Sequence, residues 1–61
     1  MNKHQTKQVA MINVYLANGM VDTAARSLSA LIRSAMTKKS QCALLALAQE
    51  LNINNHPEFI I

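Results

Sequence analysis

Across residues 22–36, DTAARSLSALIRSAM, apolar side chains recur every three or four positions, and no other property of the chain restricts its fold as much. At about 100° per residue, Val21, Ala24, Ala25, Leu28, Leu31, Ile32, Ala35 and Met36 fall within one arc of about 140°. Arg26 and Arg33 project from the opposite side, about 20° apart around the axis and about 10 Å apart along it. The pattern therefore predicts a helix over 22–36 with one face to bury, and the rest of the chain must supply the cover. Small side chains on the flanks, Thr23, Ser27, Ser29, Ala30 and Ser34, would let another backbone approach closely.

The segments on either side carry helical spacing of their own. Val9, Ile12, Tyr15 and Leu16 share one face of a helix expected over 5–17, while Ala10, Met11, Val14 and Ala17 fall elsewhere, so this helix is apolar nearly all round. A helix of that kind is usually covered on more than one side. Asn18 and Gly19 end it, with Gly19 suited to the left-handed position just past a helix terminus. The polar residues 1–7 read as a frayed start. Asp22 is placed to cap the second helix, and Lys38 and Lys39 fall near its C-terminal end, where cations favour the dipole. Ser40 then reads as the cap of a third helix over 41–52, with Leu44, Leu47, Ala48 and Leu51 on one face. The turn-formers at 52–57 precede an apolar tail, Phe59, Ile60 and Ile61.

These elements make one all-α domain, a three-helix unit spanning 1–61. At 61 residues a single core is only marginally sufficient, and small domains usually add disulfides, a metal or oligomerisation. Cys42 is the only cysteine, so no intrachain disulfide forms, and His4 and His56 sit near opposite ends with no partner at ligand spacing. Homodimerisation is the remaining expectation. The longest apolar run, 42–48, is far short of the ~20 residues that cross a bilayer, so no membrane partner is expected. The polar N-terminus lacks the apolar stretch of a secretory signal, and a lone thiol suits a reducing compartment, which together point to a cytoplasmic protein.

The chemistry-bearing residues are few and scattered. One aspartate, two glutamates, two histidines and one cysteine offer no nucleophile, base and orienting group within reach of each other, so neither catalysis, a small-molecule substrate, a cofactor nor a bound metal is expected. Two binding readings remain. The surplus of apolar surface, Met11, Val14 and Leu45 with the tail residues Phe59, Ile60 and Ile61, predicts an interface for another copy or for a different protein, as in a regulator, adaptor or inhibitor. Charge gives the second reading. All six basic residues lie at or before Lys39, while 41–61 carry only Glu50 and Glu58. A glycine turn between two helices has the outline of a helix-turn-helix, so a dimeric DNA-binding regulator would use Thr23, Arg26, Ser27, Arg33, Lys38 and Lys39. Against it, Arg26 also stands at i+4 from Asp22, the spacing of a simple helix ion pair. No motif in the chain is specific enough to name a family.

Overall fold

The computed structural model describes residues 2–61 and consists of three helices, α1 (Lys3–Ala17), α2 (Val21–Ser34) and α3 (Lys38–Glu50), with no strand among the described residues. α2 is the element the others share: it packs against both neighbours, whereas no Cα atom of α1 comes within 8 Å of one of α3. Its apolar face supplies most of the core, Ala24, Ala25, Leu28, Leu31 and Ile32, with Ala35 just beyond its end. Ile12 from α1, Leu44 and Ala48 from α3, and Ile53 close that core. Val9, Tyr15, Leu16, Leu45, Leu47, Leu51 and Phe59 pack around its edge. The radius of gyration, 10.4 Å, matches the ~10.5 Å expected of a compact domain of this length.

The helix ends depart from the sequence expectations, each for a local reason. α1 starts at Lys3 rather than near Gln5 or Thr6, because Asn2 and Gln5 form a reciprocal capping box. The Gln5 amide donates to Asn2 Oδ1 (2.8 Å) and the Asn2 amide donates to Gln5 Oε1 (3.1 Å), which orders residues that composition marks as frayed. Met1 lies outside the described residues. At the other end of α1, Gly19 takes φ 74° and its amide donates to the Leu16 carbonyl, while the Met20 amide reaches back to Tyr15 (2.8 Å). α2 therefore begins at Val21, one residue earlier than the pattern predicts. Asp22 stands in its first turn and is not its cap.

α2 also ends two residues early. Ser34 turns its hydroxyl back onto the Leu31 carbonyl (3.0 Å), and Ala35 leaves the helix in extended geometry, φ −67° and ψ 131°. Thr37, not Ser40, caps α3: its side-chain oxygen accepts the Ser40 amide at 3.1 Å. Two expectations fall with this. Met36 leaves the core arc and is 96% exposed. Lys38 and Lys39 become the first residues of α3, so they sit at the positive end of a helix dipole instead of the negative end of another. Gln41 stitches the junction by donating to the Ala35 carbonyl (3.2 Å). α3 closes on Asn52 at φ 61°, with the Ile53 amide bonded to Ala48 (3.1 Å), a second left-handed stop built on asparagine.

Candidate functional site

Two surfaces hold the residues that the sequence marks, and the tail decides how they are divided. After α3 the chain turns at 53–56 and returns alongside α2. His56 Nε2 lies 2.9 Å from Asp22 Oδ1, and Arg26 donates to Glu58 Oε1 at 2.9 Å. Ser29, 1% exposed, donates to the Arg26 carbonyl (3.0 Å) and lies 3.5 Å from the Glu58 carbonyl. His56 Nδ1 accepts the Glu58 amide at 3.0 Å, so the imidazole tautomer that serves both contacts carries its hydrogen on Nε2. The tail thus runs in the direction of α2 along the side bearing Asp22, Arg26 and Ser29.

That course occupies part of the expected nucleic-acid face. Arg26 is held by Glu58 across 32 residues of sequence, not by Asp22 one turn away. Thr23 and Ser27 are half-buried, and Ser27 lines an open groove of about 440 Å³ together with His4, Gln8, Ala30 and Ser34. This groove belongs to the α1 side of α2, so Ser27 and Arg26 point in different directions. Arg33, Lys38 and Lys39 are exposed at the end of α2 and the start of α3, and none of them makes an ion pair among the described residues. The start of α1 shares that groove with the end of α2, which makes α1 and α2 an antiparallel hairpin. A helix-turn-helix sets its two helices at about 90–120° instead.

The expected partner surface is divided as well. Met11 and Val14 are 40% and 49% exposed on α1, and Ile60 and Ile61 are 59% and 60% exposed at the end of the tail. Leu45 and Phe59 leave the set, since both are half-buried against the core. Ala10, Met11, Val14 and Ala17 lie on one side of α1, all exposed, directly away from the side that carries Gln5, Val9, Ile12 and Leu16. Met20 and Val21 at the hairpin turn are exposed as well, 45% and 39%, so Val21 leaves the core arc in which helical spacing places it. α1 lies along the Ser27 and Ser34 side of α2 and the tail along the Ser29 side, so the α1 strip and the Ile60, Ile61 pair are separate patches.

Among the described residues no three histidine, cysteine, aspartate or glutamate side chains gather in a metal-binding arrangement, Cys42 is exposed, and no helix is long and apolar enough to cross a membrane. In comparison with known protein families, curated proteins and solved structures, the chain matches none.

Proposed function

We propose that the chain is a non-enzymatic helical module acting by binding protein, as a regulator, adaptor or inhibitor, and that its first partner is a second copy of itself. One observation carries this reading: α1 has two apolar faces and the fold covers only one of them. The uncovered strip of Ala10, Met11, Val14 and Ala17 runs along the second half of α1, about 10 Å of its length, with Lys3 and Lys7 on the same side of the first half. Small apolar side chains at its ends and larger ones at its middle suit close approach by another helix. The reading as a dimeric helix-turn-helix regulator has less support, because Arg26 is engaged by Glu58 and the first two helices form an antiparallel hairpin.

The size of the strip sets the expected affinity. One helix face covers only a few hundred Å², well below the ~800 Å² per partner of a standard stable interface, so self-association is expected to be weak, around the micromolar range or above. Sedimentation equilibrium from about 10 to 500 μM therefore shows a mass that rises with concentration, and Val14→Glu holds the mass at that of one chain with unchanged far-ultraviolet circular dichroism. A constant single-chain mass for the native protein over that range rules out the homodimer. A rising mass that Val14→Glu leaves untouched moves the interface away from α1.

A further inference from the structure

The up-down-up course of the helices gathers charge that the sequence spreads out. The start of α1, the end of α2 and the start of α3 meet at one end of the molecule, where Asn2 and Gln5, Leu31 and Ser34, and Thr37 and Ser40 line a cavity of about 190 Å³. None of the cations lines the cavity, but five stand near this end of the molecule: Lys3 and Lys7 in the first two turns of α1, on its outer side, Arg33 in the last turn of α2, and Lys38 and Lys39 in the first turn of α3. These are five of the six lysines and arginines, and none makes an ion pair among the described residues. The sixth, Arg26, is neutralised by Glu58. Every carboxylate side chain lies elsewhere: Asp22 at the start of α2, Glu50 at the end of α3, and Glu58 in the tail beside Arg26.

Helix dipoles add to this end. The positive termini of α1 and α3 both point to it, against the negative terminus of α2 alone. Local stability does not account for the cations there. Lysine in a first turn opposes the dipole, yet α1 opens on Lys3 and α3 on Lys38 and Lys39, with no acid in either first turn. A local rule broken twice at the same end of a molecule is the pattern expected where function, and not folding, selects the residues.

We propose that this basic end binds the phosphate backbone of duplex nucleic acid without reading its sequence. The whole molecule measures 29 × 21 × 17 Å, comparable in cross-section to a duplex. Its rim offers hydroxyl and amide side chains, Thr37, Ser40 and Asn2, of the kinds that complete phosphate and sugar contacts. Single strands fit less well, because they are held by stacking on exposed aromatic rings, and Tyr15 and Phe59 pack against the core, which leaves the His4 imidazole as the one exposed ring at this end among the described residues. An anionic bilayer is likewise less suited: among the described residues Met36 is the one exposed large apolar side chain at this end, too little to insert. The end presents helix termini, not a helix flank, so nothing enters a groove and base readout is absent. This surface adjoins the apolar strip of α1, since Lys7 stands one turn before Met11 on the same side of that helix.

Fluorescence anisotropy with two labelled duplexes of unrelated sequence tests it. Both bind with affinities within about threefold of each other, and the logarithm of the binding constant falls with that of salt with a slope of up to about −4.5, the limit set by five cations. The double variant Lys38→Glu and Lys39→Glu weakens binding by at least about tenfold and flattens the slope by about 2. Because glutamate favours the start of α3, this variant melts no lower than the native protein, which separates lost binding from lost folding. Arg26→Ala leaves binding within about twofold of native. Absence of duplex binding at low salt, binding that survives the charge reversal, or retention by vesicles containing an anionic phospholipid without duplex binding each overturns the proposal.

Discussion

Two residues, Gly19 and Asn52, hold the left-handed positions on which α1 and α3 stop, and they fix the directions in which the chain leaves both helices. A Cβ at Gly19 would meet nothing within 4 Å, so the requirement there is conformational and not one of space. Gly19→Ala is expected to cost about 1 kcal/mol, the strain of φ > 0 in a residue with a Cβ. Asparagine tolerates this region better than alanine, so Asn52→Ala is expected to lose about 0.5–1 kcal/mol and Asn52→Gly to be neutral or slightly stabilising. Urea unfolding with unchanged slope checks all three. Equal stability of Gly19→Ala and the native protein would mean that the Met20 to Tyr15 bond forms without the left-handed residue.

The elements differ in how well they could be read from sequence, and the difference follows from the range of the interactions that shape them. α2 was legible because a single 3.6-residue period places its whole core face, and the buried residues Ala24, Ala25, Leu28, Leu31 and Ile32 are those of the predicted arc. Leu28 is fully buried at its centre, so Leu28→Ala is expected to cost about 3 kcal/mol. Total stability for a chain of this size is only about 3–9 kcal/mol, and thermal or denaturant unfolding would register a loss of a third or more. The junction at 35–37 was misread because Ala35 and Met36 continue the apolar period, while the Thr37 hydroxyl and the Ser34 back-bond end the helix beneath it. The tail was beyond local reading altogether. Spacing offers Asp22 with Arg26, yet Asp22 meets His56 and Arg26 meets Glu58, pairings that arise only after three helices have packed. Of the residues that the sequence marks as surplus apolar groups, Met11, Val14, Ile60 and Ile61 are exposed. Leu45 and Phe59 were not separable from them, since burial of an edge residue depends on which neighbours reach it.

The Arg26 to Glu58 contact also shows why a surface ion pair carries little at the scale of the whole molecule. Its side chains are 64% and 39% exposed, so the pair contributes at most about 0.2–1 kcal/mol. What the fold leaves uncovered matters more. Of the other two helices only α2 brings Cα atoms within 8 Å of α1, and the α1 strip is a face on which a second copy could lengthen the core without displacing the tail. If it does so, the stability of each chain depends on how many others are present, because whatever binds the folded state alone stabilises it by mass action. Above the dissociation constant, a tenfold rise in protein concentration adds about 1.4 kcal/mol per dimer, or about 0.7 kcal/mol per chain. For a domain of this size that shifts the thermal midpoint by about 3–6 °C. Val14→Glu, which places a charge in the strip but not in the core, is expected to abolish the dependence while leaving the midpoint at low concentration close to that of the native chain. Calorimetric scans at several concentrations measure both quantities at once, and a native midpoint that stays fixed across them would leave α1 with an apolar face that a second copy does not cover.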